Sequence, residues 1–185
     1  MVDGRVERGR RRRELLVEAA LRVTERDGVA GITHRAVAQE AGVASTAGTY
    51  HFPTVDDLLV AVITAGAERF AAELRTRMQG SPTVQDFAEL VADYLRERRG
   101  PAIAEYELYL LAARRPDLRP AAQLWMEAAR EVLAQWTDDE TAIRAAIAVC
   151  DGLLIQGLIA DEPPRADEIA RTMSYVLNIG SGSRT

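Results

Sequence analysis

The sequence predicts an all-α protein, and three observations carry that expectation. Apolar residues recur at i, i+3 and i+4 along most of the chain. Aromatic residues make up only 5% of a composition that is 48% hydrophobic, and Ala, Leu and Val dominate the apolar set, as packed helices require. No stretch of strict alternation and no Asn-Gly hairpin signal interrupts the series. The punctuation implies about nine helices, a head of three followed by a longer helical body.

The first helix is expected from about Arg11, where Leu15, Leu16, Ala19, Ala20 and Val23 set the period, to the stop at Asp27-Gly28. Ahead of it, Arg5, Arg8 and Arg10 to Arg13 sit among only Asp3 and Glu7. That stretch reads either as a solvated tail or as an arm laid along DNA phosphates or into a minor groove. Thr33 is placed to cap a short second helix with apolar positions Val37, Ala38 and Ala41, and Gly42 closes it as a C′ glycine. A third short helix runs from about Ala44 to His51 before Phe52-Pro53 breaks it. Thr54-Val55-Asp56-Asp57 reads as a capping box opening a long helix to about Met78.

Beyond it, stops at Gly80-Ser81-Pro82, Gly100-Pro101, Arg115-Pro116, Thr137-Asp138 and Pro163-Pro164 frame helices at about 83–99, 102–115, 120–136, 140–160 and 166–179. The expected organisation is a head of short helices with a basic N-terminal arm over 1–54, a helical body over 55–180 and a flexible tail over 181–185.

Charge divides the chain. The net charge is −5 and the isoelectric point is near 5.2, which argues against a protein that coats nucleic acid with its whole surface. Yet residues 1–55 hold 9 Arg against 7 acids, whereas 56–185 hold 14 Arg against 21, so the two parts face different partners. All 23 basic residues are Arg, which matches the coding bias of a GC-rich bacterial genome. A single Cys excludes an internal disulfide framework, and with two His it builds no conventional zinc site, so a reducing cytoplasm is expected. No apolar segment follows the charged N-terminus as a secretory signal requires. The longest apolar run, Ala145 to Ala160, is interrupted by Asp151 and Gln156 and is too short to span a bilayer, so no membrane partner is expected.

Two short helices joined by a turn containing Gly, early in a helical chain, are the pattern of a helix-turn-helix DNA reader, whose second helix enters the major groove. The string Gly31-Ile32-Thr33-His34-Arg35-Ala36-Val37-Ala38-Gln39-Glu40-Ala41-Gly42-Val43, then Tyr50-His51-Phe52 and Asp57-Leu58-Leu59, resembles the TetR family of bacterial regulators. The likeness covers about Arg10 to Ile63, and the helix Asp151 to Leu158 resembles the way that family ends. It implies a homodimeric regulator, a repressor by family habit, that binds a double-stranded DNA operator and is released by a small hydrophobic ligand.

The resemblance, with the chemistry of each side chain, implies roles in DNA binding. Thr33, His34 and Arg35 open the first short helix, where free N–H groups and the dipole suit a phosphate, and Arg35 could alternatively reach a base edge. Ser45, Thr46 and Ala47 open the recognition helix and should face bases, while Thr49, Tyr50 and His51 close it against phosphates. The chain departs from the usual pattern at Ala44, a poor cap; at Gly48, in an apolar slot; at Thr49, where Tyr is commoner; and at Val55, where Lys is frequent. A recognition helix that is loose until DNA orders it is therefore expected, with Arg10 to Arg13 supplying the lost charge.

The helix over 140–160 is apolar almost all round and must be covered twice, once by its own body and once by a second copy. Ile147, Cys150, Leu154 and Leu158, with Met173 and Leu177 of the last helix, are the expected four-helix seam. Two-fold symmetry would then present two recognition helices to a pseudo-palindrome with half-sites about one DNA turn apart. The resemblance also implies a cavity in the middle helices. Tyr94, Tyr106, Tyr109, Trp125 and Met126, near Glu105 and Glu107, suit a flat or cationic hydrophobic molecule, or are ordinary core. No nucleophile-base pair, metal-ligand spacing or phosphate-binding glycine loop is present in the sequence, so no catalytic residue, metal or cofactor is assigned. An all-α enzyme and a helical interaction module with an inert head stay open as other readings.

Overall fold

The computed structural model describes residues 4–179. The expected tail over 181–185 lies outside them. Among the described residues are nine α-helices and no strand: α1 (Gly4–Asp27), α2 (His34–Glu40), α3 (Ser45–His51), α4 (Val55–Arg77), α5 (Val84–Glu97), α6 (Arg99–Arg114), α7 (Arg119–Leu133), α8 (Glu140–Ile159) and α9 (Ala166–Val176). Short 3-10 turns at Val29–Gly31 and Pro116–Leu118 complete the set.

Two compact units divide the fold. One comprises residues up to Ala67 together with Ile103–Ala122, and the other comprises Glu68–Ala102 with residues from Gln123 onward. The divisions fall inside α4, α6 and α7. In the first unit, α1 packs on α2 and α2 on α3. Leu16, Ala19, Ala20, Val23, Val37, Ala38, Phe52, Leu58, Val62 and Ile63 are all buried there. In the second unit, α9 packs on α5 and α8 around Phe87, Leu90, Val91, Val132, Leu133, Ile143, Ile169 and Met173. Trp136 closes that core, its indole N–H donating to the Pro82 carbonyl at 2.9 Å while its ring meets Phe87 edge-on.

Two of the boundaries that differ from the sequence expectation do so for plain physical reasons. Helix α1 starts seven residues before Arg11, at Gly4, because Glu7 pairs with Arg10 and Arg11 while Arg10 also reaches Glu14, at i+3 and i+4 spacing. Helix α6 starts at Arg99, so Pro101 lies inside its first turn, where a missing N–H costs nothing. Helix α8, at 20 residues, is long and apolar enough to cross a membrane by length and composition alone, a test that core helices also pass. Here its Ile143 and Ala146 enter the core of the second unit instead.

Candidate nucleic-acid interface

The helix-turn-helix is built by capping. Thr33 Oγ1 accepts from the Ala36 N–H at 3.0 Å and starts α2. Gly42, at φ 65°, ends it: the Gly42 N–H donates to Gln39 O and the Val43 N–H to Ala38 O, the paired bonds of a Schellman turn. Helix α3 begins at Ser45, and Ala44 in the N-cap position before it gives no side-chain cap. Thr54 and Asp57 then exchange bonds, Thr54 N–H to Asp57 Oδ2 at 3.0 Å and Asp57 N–H to Thr54 Oγ1 at 3.1 Å, the capping box that opens α4.

Glu40, at the end of α2, ties that helix to α1. It accepts from Arg22 Nε at 2.9 Å and from Arg26 Nη1 at 2.8 Å, and these bonds hold its carboxyl below the usual range. On the other side, Glu107 of α6 reaches the end of α1, where its Oε2 accepts from the Val29 N–H at 2.7 Å. Gly28 leaves room for that carboxylate and takes the left-handed φ of 74° that the turn needs. Asp56 at the start of α4 pairs with Arg115, which lowers its pKa.

Exposure sorts α3 into two faces. Ser45, Thr46, Thr49 and Tyr50 are exposed, Tyr50 at 77%, whereas Ala47 and His51 are half-buried and Gly48 is buried. At about 100° per residue the exposed four cover one side of the helix and the other three its back. Gly48 is there for space: a Cβ would come within 3.3 Å of both the Cβ and the carbonyl oxygen of His34. The slot usually filled by an apolar side chain is occupied by α2 itself. Thr49 Oγ1 donates to Thr46 O at 3.2 Å.

Thr33 and Arg35 are exposed at the opening of α2. His34 is half-buried against Gly48, and its Nε2 is covered with no hydrogen-bond partner, so in this conformation that nitrogen faces the head. The His51 ring meets Tyr50 edge-on at 5.0 Å. Burial first, then the charges of Arg12 and Arg13, lower its pKa. Arg13 lies over the Phe52 ring, 4.7 Å from its centroid, which brings the end of the arginine run beside the end of α3.

In the second unit, half of the expected seam turns inward. Met173 and Leu177 belong to the core, and Leu158 is buried. Ile169, Met173 and Leu177 form one i, i+4, i+8 stripe, and α5 and α8 already cover it. Ile147, Cys150 and Leu154 are half-buried, and the large hydrophobic residues that α8 exposes are Ile155 at 41% and Ile159 at 78%. Burial pushes the Cys150 thiol up to about 12, so it carries no reactive thiolate.

Trp125 is buried and its indole N–H has no partner; Tyr94, Tyr106 and Tyr109 are half-buried, and Met126 is exposed at 38%. Glu107, expected beside a cavity, is engaged with Val29 instead. Nothing in the sequence marks that bond, which spans 78 residues.

Comparison with known proteins agrees with this architecture. Residues 16–62 match the family described as bacterial regulatory proteins, tetR family, and residues 82–178 match the tetracyclin repressor-like C-terminal domain. The structure of the multidrug binding protein EbrR complexed with ethidium is similar at 37% identity and a TM-score of 0.80, over 89% of this chain and 98% of that one. A TetR family member from Streptomyces coelicolor A3 is similar at 37% identity and a TM-score of 0.76, over 89% of this chain and 97% of that one. The HTH-type nicotine-responsive transcriptional repressor HdnoR of Paenarthrobacter nicotinovorans is 24% identical over 186 residues, 91% of this chain and 96% of its own length. With both matched domains in the expected order and the helix-turn-helix formed, the chain belongs to the TetR family of DNA-binding transcription regulators.

Proposed function

We propose that the protein is a cytoplasmic repressor that binds a pseudo-palindromic operator as a homodimer and is released by a small hydrophobic ligand. The observation that carries the DNA reading is the two-faced α3. Its back is anchored by Gly48 against α2, and its front offers the hydroxyls of Ser45, Thr46, Thr49 and Tyr50. Ser45 and Thr46 read base edges, with the Ala47 methyl beside them for thymine. Thr49, Tyr50 and His51 bind backbone phosphates, as do Thr33 and Arg35 at the opening of α2. The functional head is residues 1–54, and the body from 55 to 180 carries dimerisation and ligand binding.

The dimer reading rests on α8. Its outward apolar residues Ile155 and Ile159, with half-buried Ile147, Cys150 and Leu154, need a second cover. The seam is thus drawn on α8 without Leu158, Met173 and Leu177.

The ligand is a flat, hydrophobic, cationic molecule. EbrR has been solved with ethidium, proflavin and malachite green, and this chain shares 36–37% identity with it. Buried Trp125 supports the reading with an unpaired N–H donor that a ligand acceptor would satisfy, and Met126, next in sequence, and Tyr94 of the same unit are the polarizable and aromatic candidates proposed with it. Release requires that ligand and DNA prefer different conformations, since equal affinity for both shifts nothing.

Malachite green titrated into DNA-free protein tests this. Saturable dye fluorescence is expected, together with falling anisotropy of a labelled duplex enriched by the protein from a random pool. Dye binding without release of the duplex would contradict ligand control, and no saturable binding of malachite green or proflavin would contradict the ligand class.

A further inference from the structure

The arginine run at the start of α1 is a helix with two unlike faces. On one face Glu7 accepts from Arg10 at 2.8 Å and from Arg11 at 3.0 Å, and Arg10 also bonds Glu14, so acids hold these two arginines. Arg8 and Arg12, four residues apart, share a row turned away from Glu7 and Glu14, Arg13 follows about 100° further round the helix, and no ion pair engages these three among the described residues. The segregation arises from about 100° per residue: Arg8 and Arg12 share a row, Glu7, Arg10 and Glu14 fall on the far side, and Arg11 lies on the flank, drawn toward Glu7 by its ion pair.

The later turns of α1 fix the direction of the unpaired row. Leu16 and Ala20, at 0% exposure, continue it at i+4 and i+8 from Arg12 and are core residues of the first unit. Arg12 therefore extends the face by which α1 packs into the head, and Arg8, exposed like Arg12, lies one turn further toward the N-terminus. Arg13, stacked on Phe52, and the depressing effect of Arg12 and Arg13 on His51 place this overhang beside the C-terminal end of α3. That is the end assigned to phosphate contacts, so a cationic row projecting past it meets the sugar-phosphate backbone flanking the half-site.

We propose that residues 4–13 form a helical DNA-contacting arm, in which Arg8, Arg12 and Arg13 bind backbone phosphates flanking the half-site read by α3. The proposal rests on the reading of α3 as the DNA-reading helix. Arg10 and Arg11, held by Glu7 and Glu14, stay outside the contact. Helical order lowers the entropy that a loose basic tail would lose on binding, so the contact is specific in position although it carries no sequence information.

The test is the salt dependence of binding, using the full chain and a duplex enriched by it from a random pool. Each phosphate contact contributes about 0.9 to the slope of log affinity against log salt. The variant with Arg8→Gln, Arg12→Gln and Arg13→Gln should lose about 2.7 in slope per protomer relative to wild type on a duplex with long flanks. Arg8→Gln with Arg12→Gln alone, which leaves the Phe52 stack intact, should lose about 1.8. Trimming the flanks should bring wild type down to the slope of the variants while sequence preference stays unchanged. An unchanged slope in the double variant, with specific binding retained, overturns the arm and leaves the reading of α3 standing. Wild type that enriches no duplex overturns both.

Discussion

Gly48 of the recognition helix and His34 of α2 are in such close register that a Cβ at position 48 would stand 3.3 Å from the His34 carbonyl oxygen. A glycine in a helix interior ordinarily weakens it by about 0.5–1 kcal/mol relative to alanine, and here the loss is the condition for close packing of α2 and α3. Gly48→Val should wedge the two helices apart and cost about 1–3 kcal/mol of stability, read by thermal or urea melts. DNA affinity should fall further than stability alone explains, because Ser45 and Thr46 shift with the helix. Unchanged melting and binding would mean that the contact between α2 and α3 is loose.

The pairing of Gly28 with Glu107 makes a separate prediction. Glu107→Ala removes the acceptor for the Val29 N–H, at a cost of about 1 kcal/mol at most, since the bond is exposed. Gly28→Ala forces a side chain into a φ of 74° and against a carboxylate oxygen 3.0 Å away. A double-mutant cycle should therefore show Gly28→Ala costing less in the Glu107→Ala background than in wild type, and strict additivity would deny the contact.

His51 predicts a pH response with a definite sign. Burial, together with the lesser effect of the Arg12 and Arg13 charges, holds its pKa below 6.5, so the free protein carries it neutral at pH 7. The unfolded chain takes up the proton first as pH falls from 6.5, so this group's contribution to stability is present above 6.5 and is lost toward the folded pKa. A phosphate beside the ring acts in the opposite direction and favours the charged form. Binding should then take up protons, and DNA affinity should rise between pH 7.5 and 6 in wild type but not in His51→Gln. An NMR titration of the ring in free and bound protein checks both limbs.

For the dimer, the expected lesion lies on α8. Ile155→Asp with Ile159→Asp changes only exposed positions, so the protomer should keep its helical content and sediment as a monomer that binds DNA poorly. Met173→Asp, by contrast, places a charge at a position with 0% exposure and should unfold the second unit. A folded α8 double variant that remains dimeric would contradict the seam.

Much of the fold was legible in the chain. Thr33, Gly42 and the Thr54-Asp57 box are local devices, so their residue types alone marked the ends of α2 and the start of α4. The start of α1 escaped because a run of arginines has no apolar period, although Glu7 and Glu14 at i+3 and i+4 spacing held the signal. The outward face of α8 escaped for the opposite reason: apolar on every side, it gives periodicity nothing to choose between, and only packing shows that Leu158 turns in and Ile159 out. The placing of His34 and the purpose of Gly48 depend on one helix meeting another, which no spacing along the chain records.

The central claim is that α3 reads DNA in a two-fold assembly, and selection from a random pool of duplexes at moderate salt tests it most directly. Enrichment of a pseudo-palindrome with half-sites about one helical turn apart is the predicted result, with base preference changed by Ser45 or Thr46 substitutions and affinity lowered evenly across sequences by Tyr50→Phe. No enriched sequence, or one whose preference ignores Ser45 and Thr46 and tracks Tyr50, would contradict it.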